Sequence, residues 1–354
     1  MEFHNNNQPL VSVVTPVYNG ADYIAECIES VIAQNYSNWE YHIVDNCSDD
    51  GTYEIANEYE NNDHRIHVHR CEDFYNQIPN WNRALTYISA ESEYCKVIQA
   101  DDWIYPECLQ KMVSLAEEYP SVGVVSAYRL VEENVRGADL PYRTNFLEGI
   151  NVCRKILYEN SDLFGSATTV LFKSSVVRSD ENFFNESVIH ADTYACFKVL
   201  RNHDFGFVHQ VLTFTRRHNQ ATTTFCNYYH TYILNELVVL RDFGVNFFSP
   251  EEESEILNKS LFKHHRELID HLLKYNNKDI WDYHRDELQK MGLAIDWKLF
   301  TKALLLELVD FKSILKLLRQ KMFRNSISES HKNDQEVIKE KKISTVSSSD
   351  ASAT

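Results

Sequence analysis

Short apolar runs alternate with amphipathic segments between residues 11 and 127, and this alternation constrains the fold more than any other feature of the sequence. The apolar runs are rich in β-branched residues, and the segments between them carry apolar side chains at helical spacing. Strands are predicted at 11–15, 41–44, 66–69, 94–100 and 122–127, and helices at 22–34, 53–59, 80–89 and 106–118. Repeated β-α units of this length predict an α/β fold, a mostly parallel sheet with helices on both faces.

The alternation weakens after residue 127, where 132–149 has scattered charges typical of a loop. Further strands are predicted at 168–172, 206–208 and 211–215, and a further helix at 192–201. Helices should then dominate, the first ending at Gly244 and the others covering 253–275 and 297–323. The predicted organisation is a disordered N-terminus at 1–8, an α/β domain at 9–225, a helical extension at 226–325 and a disordered tail at 326–354.

The charge balance and the cysteines exclude several classes of function. The 354 residues include 35 Lys and Arg against 52 Asp and Glu, a net charge of -17, so nucleic acid is not an expected partner. The eight cysteines contain no C-x-x-C pair and are expected to be reduced thiols. The N-terminus lacks the pattern of a secretory signal, and no uncharged apolar run reaches 18 residues. A cytoplasmic protein is therefore expected.

Polar and acidic residues follow three of the predicted strands, at 15–19, 45–52 and 99–102. Ligands of open parallel sheets bind where the carboxyl ends of the strands meet. Carboxylates gathered at one edge repel each other unless a cation or hydrogen-bond donors compensate. Oxygen ligands without a nearby Cys or His pair favour Mg²⁺ or Mn²⁺, completed by phosphate oxygens, so the pattern predicts a metal-assisted diphosphate site.

These motifs carry a family resemblance. The sequences SVVTPVYN at 12–19, IVDNCSDDGT at 43–52 and QADDWIYPECL at 99–109 resemble the family 2 glycosyltransferases of the GT-A fold, and the similarity extends over about residues 9–225. The resemblance implies a GT-A, Rossmann-like catalytic domain at 9–225. It also implies inverting transfer of a sugar from a nucleotide diphosphate sugar to a hydroxyl of a saccharide or lipid-linked saccharide, in bacterial surface polysaccharide synthesis (O-antigen, capsule or exopolysaccharide).

The resemblance also implies roles for individual residues. The nucleotide-binding residues are expected to be Pro16, Val17, Tyr18, Asn19, Asp45, Asn82 and Asp101. Among these, Pro16 and Tyr18 match one wall of the base pocket, and Asp45 matches the acceptor of a hydrogen bond from the base. Asp102 matches the metal ligand, with Asp101 and the late His218 as further metal candidates. Asp192 matches the general base. Gln99 departs from the family pattern, which often has an additional acid there, and this puts a role for residue 99 in donor binding in doubt.

Simpler interpretations exist for most of these residues. The segment 45–52 and the pair Asp101 and Asp102 have compositions that also suit turns and helix caps, and Asp192 could be the N-cap of its helix. His218 could be an ordinary surface or packed histidine, and His264 and His265 are expected beside the core face of a helix with no metal.

The sequence leaves two alternative functions and a possible membrane contact to consider. A non-catalytic nucleotide-sugar binder or scaffold subunit of the same fold is the alternative function. An oxidoreductase is disfavoured because no G-x-G-x-x-G follows the first strand. The basic, amphipathic segment 311–324 suits either peripheral contact with the inner face of a membrane or packing on the catalytic domain with its lysines in water.

Overall fold

The computed structural model describes residues 8–217, 222–275 and 278–309. His218 and the basic segment 311–324 lie outside the described residues, as do the two predicted disordered termini apart from Gln8. The strands are β1 (Leu10–Val17), β2 (Trp39–Asp45), β3 (Ile66–Arg70), β4 (Ser92–Val97), β5 (Trp103–Ile104), β6 (Val122–Val131), β7 (Asn134–Arg136), β8 (Phe146–Leu147), β9 (Leu171–Lys173) and β10 (Asp204–Thr215).

The helices follow the same order along the chain. They are α1 (Ile24–Ile32), α2 (Thr52–Glu60), α3 (Gln77–Leu85), α4 (Cys108–Glu118), α5 (Gly149–Glu159), α6 (Ser174–Arg178), α7 (Ala191–Leu200), α8 (Thr222–Tyr229), α9 (Thr231–Phe247), α10 (Pro250–Tyr275), α11 (Lys278–Lys290) and α12 (Trp297–Val309), with a 3₁₀ turn at Ala167–Thr169. No helix among these residues is long and apolar enough to cross a membrane.

One large sheet organises the α/β part, in the order β3-β2-β1-β4-β9-β6-β10-β5, with β7 paired to β6 and β8 to β10. The pairs β1-β2, β1-β4, β2-β3 and β6-β10 are parallel. The short strand β9 runs antiparallel between β4 and β6. Residues 11–17 of β1 are all buried, as expected for a central strand of a sheet covered on both faces. The predicted α/β class is confirmed.

The register of the first strands brings their carboxyl ends to the same edge. Val17 is the partner of Asp45, and Asp45 is the partner of Arg70 in β3. On the other side of β1, the N–H of Ile98 donates to the carbonyl of Val14 at 2.9 Å. The loops after β1, β2 and β4, which carry the predicted site, are therefore neighbours.

The sequence pattern was wrong in several places after residue 127. The region predicted as a loop at 132–149 contains β7 and β8 and the first residue of α5. The strands predicted at 206–208 and 211–215 form one strand, β10, whose register against β6 shifts between Val208 and Val211. Such an irregularity moves side chains to the other face and breaks the period-two pattern. Helices α5, α6 and α11 were not predicted.

Gly244 does not end a helix. Helix α9 continues through it to Phe247, and Gly244, Phe243 and Phe247 are all buried. A single glycine costs an exposed helix only about 1 kcal/mol relative to alanine, which the packing of neighbouring aromatic residues can outweigh.

The chain forms two compact units. One contains the described residues up to 217 together with Phe243–Ser249, and the other contains the described residues of 219–242 and those from Pro250 onward. The first unit holds the whole sheet, and the second is helical.

Candidate active site

The loops after β1 and β2 are tied together by side chains of the segment 48–52. Ser48 Oγ accepts the Asn19 N–H at 2.9 Å, and Thr52 Oγ1 accepts the Gly20 N–H at 2.8 Å. In return, Asn19 Oδ1 accepts the N–H of Asp49 at 3.1 Å. Asn19 has a φ of 49°, a left-handed conformation that asparagine tolerates better than most residues. Ser48 and Thr52 therefore shape the site by bracing two loops.

Asp45 stands at the end of β2 and is fully buried. Its Oδ2 accepts the N–H of Ser48 at 3.3 Å, whereas its Oδ1 has no hydrogen-bond partner among the described residues. A buried carboxylate oxygen without a donor is costly in a folded protein. The arrangement suits an oxygen that accepts a hydrogen bond from a ligand.

An aromatic pair lies beside the loop of Asp45. The exposed rings of Tyr18 and Phe74 meet edge to face, with centroids 4.9 Å apart. The loop that carries Phe74 is held by Asn46, whose Nδ2 donates to the carbonyl of Tyr75 at 2.7 Å and whose Oδ1 accepts the N–H of Tyr75 at 2.9 Å. Arg83 donates to the same Oδ1 at 2.6 Å and stacks on the Tyr75 ring. The sequence prediction missed Phe74 and Tyr75. The available signal was the occurrence of two adjacent aromatic residues in an otherwise polar loop.

Asp102 is almost completely buried at the turn after β4. Its Oδ1 accepts the N–H of Arg216 at 3.0 Å, and its Oδ2 has no partner among the described residues. Burial, and then the charge of Asp101, raise the pKa of Asp102 well above its usual value, while Thr168 and Arg216 oppose the shift by hydrogen bonding. The carboxylate is therefore poised to bind a cation or a donor.

Arg216 ties the end of β10 to this acidic pair, a role the sequence prediction missed. Its Nε donates to the carbonyl of Asp101 at 3.1 Å, and its Nη2 pairs with Glu26 at 2.5 Å. The guanidinium also lies over the rings of Tyr23 and Trp103. The only signal in the sequence was a basic residue directly after a strand.

Asp192 is the second residue of α7 and is partly buried. The N-cap of α7 is His190, and no side chain caps it, so the interpretation of Asp192 as the N-cap is wrong. The Asp192 carboxylate accepts the N–H of Thr193 at 2.7 Å and lies near the main chain of Ala167. Burial raises the pKa of Asp192, and these main-chain groups with the charge of Arg129 only partly offset it.

The 3₁₀ turn Ala167–Thr169 contacts both Asp102 and Asp192. Thr168 Oγ1 accepts the N–H of Gln99 at 3.0 Å, and the Thr168 hydroxyl lies close enough to Asp102 to lower the pKa of that carboxyl. The main chain of the preceding residue, Ala167, lies close enough to Asp192 to lower the pKa of that carboxyl. Asp102 and Asp192 are far apart in the sequence, but the tertiary structure places them beside two successive residues of this turn, Thr168 and Ala167.

Asn82 has a structural use. Its Oδ1 accepts the N–H of Phe184 at 2.9 Å, and its Nδ2 donates to the carbonyl of Phe184 at 2.8 Å. These bonds hold the segment that leads into α7 and to Asp192. Its role in nucleotide binding stays a prediction, as do those of Pro16 and Val17, whose side chains are buried at the end of β1.

The acidic pair fits a divalent ion that takes most of its ligands from a bound molecule. Within the part of the chain that the structure describes, no three Cys, His, Asp or Glu side chains form a group that could enclose a metal ion. The unpartnered Oδ2 of Asp102 is a buried hard oxygen, the ligand type that Mg²⁺ and Mn²⁺ prefer. None of the eight cysteines forms a disulfide.

Comparisons with known proteins identify sequences and structures that are similar to this chain. Residues 12–179 match the model of Glycosyl transferase family 2. TuaG of Bacillus subtilis (strain 168), whose name assigns it to teichuronic acid biosynthesis as a glycosyltransferase, is 36% identical over 129 residues, which cover 36% of this chain and 50% of TuaG. The chain therefore spans about half the length of this relative.

Solved structures show the same fold. S. aureus TarS 1-349 in complex with UDP-GlcNAc superposes with a TM-score of 0.60 at 18% identity, covering 82% of each chain. The mannosyltransferase PcManGT from Pyrobaculum calidifontis in complex with GDP-Man and Mn²⁺ gives a TM-score of 0.51 at 15% identity, covering 91% of this chain and 88% of the other.

Proposed function

We propose that the chain is a family 2 glycosyltransferase that transfers a sugar from a nucleotide diphosphate sugar to an acceptor hydroxyl with the help of Mg²⁺ or Mn²⁺, as the match of residues 12–179 to the family model supports. The single observation that carries the proposal is the pair of unpartnered buried carboxylate oxygens, Asp45 Oδ1 at the end of β2 and Asp102 Oδ2 in the turn after β4, the two strands that flank β1. One suits a base N–H and the other suits a cation on a diphosphate.

The donor is proposed to lie along the edge formed by the loops after β1, β2 and β4. Tyr18 and Phe74 offer exposed aromatic surface to the base, and Asp45 accepts a hydrogen bond from it. Asp101 would hold the ribose or help the metal, and Asp102 would hold the metal. When bound, the metal neutralises charge that develops on the leaving diphosphate. His218, which lies outside the described residues, stays a further metal candidate.

Asp192 is the proposed general base. It would accept the proton of the acceptor hydroxyl as that oxygen attacks the anomeric carbon from the face opposite the leaving group, so the configuration inverts. Burial raises the pKa of Asp192, which makes its carboxylate a stronger base. Its hydrogen bond from the N–H of Thr193 orients the carboxylate before substrate binds.

The acceptor is proposed to be a saccharide or lipid-linked saccharide of a bacterial surface polysaccharide. The support comes from TuaG, named for teichuronic acid biosynthesis, and is an analogy of sequence. We place the reaction in the cytoplasm, where the basic segment 311–324 would allow contact with the inner face of the membrane. Nucleic acid is not a proposed partner, because the net charge is -17.

The alternative function is a nucleotide-sugar-binding subunit without turnover. Both functions predict that nucleoside diphosphates and Mn²⁺ raise the melting temperature together, so a screen of UDP, GDP, CDP and TDP with and without Mn²⁺ identifies the base first. The corresponding nucleotide sugars are then tested for donor hydrolysis and for transfer to lipid-linked acceptors.

The decisive variant is Asp192→Asn, with Asp180→Asn as its control. Asp180 is an aspartate near α7 that pairs with Lys198 on the protein surface. Catalysis predicts that Asp192→Asn loses turnover by about 10² to 10⁴-fold with unchanged nucleotide affinity, whereas Asp180→Asn keeps turnover. Nucleotide binding by the wild type without turnover of any donor would instead establish the binding subunit.

A further inference from the structure

Lys96 is a fully buried lysine in β4 whose hydrogen-bond partners are main-chain carbonyls. Its Nζ donates to the carbonyl of Thr168 at 2.5 Å and to that of Val170 at 3.1 Å, and it contacts the sulfur of Met112 at 3.8 Å. Burial lowers the pKa of this amine, but both carbonyls remain bonded in either protonation state because a neutral amine keeps two N–H groups. A lysine is a costly residue in a core, so its contacts should serve a purpose.

The contacts of Lys96 begin where the pairing of two strands ends. Strands β4 and β9 pair only at Tyr94 with Lys173 and at Cys95 with Phe172. The next residue of β4 is Lys96, and on the opposite side the chain turns away into the 3₁₀ turn Ala167–Thr169. Carbonyls at such a divergence lose their strand partners and need other donors. The amine of Lys96 supplies two hydrogen bonds there and fastens the turn to β4.

The fastened turn is the one that contacts both proposed reactive carboxylates. Thr168, whose carbonyl binds Lys96, accepts the Gln99 N–H through its side chain, and the carbonyl of Gln99 in turn accepts the N–H of Asp102 at 3.0 Å. The Thr168 hydroxyl also lies close enough to Asp102 to lower the pKa of that carboxyl. The main chain of Ala167, one residue earlier, lies close enough to Asp192 to lower the pKa of that carboxyl. A displacement of the turn would therefore move the contacts of Asp102 and Asp192 together.

We propose that Lys96 is a positioning residue that fixes the turn Ala167–Thr169, and through it the relative placement of Asp102 and Asp192. Lys96 touches neither carboxylate nor substrate. This inference rests on the proposed function for its consequence in catalysis, but its structural part concerns only the turn.

The test compares Lys96→Met with Lys173→Met. Lys173 in β9 is a surface lysine that also donates to a main-chain carbonyl, that of Pro120, at 3.1 Å. Amide hydrogen exchange is measured at Gln99 and Ala167, and at Asn19 and Gly20 as internal references in the donor loop. Lys96→Met should speed exchange at Gln99 and Ala167 by about tenfold or more and leave Asn19 and Gly20 unchanged, and Lys173→Met should change none of them.

Kinetics provide the second readout. Lys96→Met should lower kcat by about 10 to 100-fold and weaken the enhancement of nucleoside diphosphate affinity by Mn²⁺, while the affinity measured without metal stays within about twofold. Wild-type exchange at Gln99 and Ala167, or wild-type kcat, in a folded Lys96→Met protein would overturn the inference. If the wild type shows no turnover with any donor, the proposed function is wrong. The hydrogen-exchange rates of Gln99 and Ala167 would still show whether Lys96 fixes the turn Ala167–Thr169.

A second pair of variants covers the case in which Lys96→Met does not fold. Thr168→Val removes the hydroxyl that joins the turn to Asp102 and Gln99 but leaves the carbonyl that Lys96 binds, and Thr168→Ser retains a hydroxyl. The inference predicts the same losses in kcat and in the Mn²⁺ effect for Thr168→Val, and their recovery in Thr168→Ser. A fully active Thr168→Val protein would overturn it.

Discussion

The main-chain N–H of Arg216 donates a 3.0 Å hydrogen bond to Oδ1 of Asp102. This bond joins the residue after β10 to the turn after β4, and it occupies one carboxylate oxygen while the other, Oδ2, stays unpartnered among the described residues. A rigid donor on one oxygen fixes the direction in which the other points. The acidic turn is therefore oriented before any ligand binds.

The first prediction concerns the charge of Asp102. Its pKa is raised in the folded protein, so its stabilising effect is present below the unfolded value of 3.8 and is lost as pH rises through the folded value. At neutral pH without metal, Asp102→Asn should therefore melt at the same temperature as the wild type or higher. It should also lose most of the stabilisation that Mn²⁺ and a nucleoside diphosphate give together, as measured by differential scanning fluorimetry. Retention of the full metal effect would contradict the assignment of Asp102 as a metal ligand.

The second prediction concerns the aromatic surface beside Asp45. The side chain of Tyr18 is 51% exposed and contacts mainly Phe74, so its removal should cost little stability. Tyr18→Ala should raise the Kd of the nucleoside diphosphate by about 5 to 100-fold, the effect of losing one base-stacking contact, and Tyr18→Phe should keep most of the affinity. Tyr142→Ala is the control, because Tyr142 is another exposed tyrosine, in the segment between β7 and β8. Calorimetric titration measures all three, and equal affinity of Tyr18→Ala and wild type would remove Tyr18 from the base pocket.

The third prediction concerns Gly165, which precedes the turn Ala167–Thr169. Gly165 has a φ of +70°, and a Cβ there would lie 2.4 Å from Thr169 Oγ1 and 2.9 Å from Arg129 Nη1. Gly51 also has a positive φ, +98°, but open space around its would-be Cβ. Gly51→Ala should cost about 1 kcal/mol of unfolding free energy through backbone strain alone, and Gly165→Ala should cost about 2 to 4 kcal/mol because a clash is added. Denaturant titrations followed in the same unit compare the two, and equal costs would show that the turn yields to the added atom.

The fourth prediction concerns a chain of three buried histidines in the helical unit. At one end of the chain, the N–H of Asp296 donates to His265 Nε2 at 3.1 Å. His265 Nδ1 lies 3.1 Å from His264 Nδ1, and His264 Nε2 lies 2.9 Å from His284 Nδ1. At the other end, His284 Nε2 lies 2.5 Å from the carbonyl of Tyr229. The backbone groups at the two ends assign every proton: each imidazole accepts on one side and donates on the other. The chain is complete only when all three rings are neutral.

Acid should therefore weaken the helical unit. Burial lowers the pKa of His264 and His265, and it lowers the pKa of His284 to about 4. The charges of His230 and His271 lower the pKa of His284 further, whereas Asp296 partly opposes the shift at His265. Because the folded values lie below the unfolded value of 6.5, stability is lost as pH falls from about 6.5 toward 4, by about 1.4 kcal/mol per pH unit for each ring that stays neutral in the folded state.

Thermal unfolding measured between pH 7.5 and 4.5 tests this coupling. The wild type should lose stability steeply below pH 6.5, and His284→Gln should be less stable at pH 7.5 but show a shallower slope. Replacing the exposed His64 by glutamine provides the control and should leave the slope unchanged. An identical slope in His284→Gln would mean that other groups govern the acid response.

The first half of the fold could be predicted because its signals are local. Hydrophobic periodicity marked β1 to β4 and the helices between them, and parallel connections brought the loops of Tyr18, Asp45 and Asp102 to one edge. The periodicity failed where β10 shifts register against β6 and where the short strands β7 and β8 depend on pairing partners far along the chain. Gly244 failed as a stop signal because packing outweighed its low helix propensity.

The sequence by itself determined the α/β class, the resemblance to family 2 glycosyltransferases and the residue types that gather at the strand ends, since these follow from local pattern and motif. Only the tertiary structure decided which oxygen of Asp102 is used by Arg216 and which is left for a ligand, and how the turn Ala167–Thr169 contacts Asp102 and Asp192. It also decided that the amine of Lys96 would serve that turn. The physical reason is that burial and hydrogen-bond partners are properties of segments far apart in the chain, which no local pattern encodes.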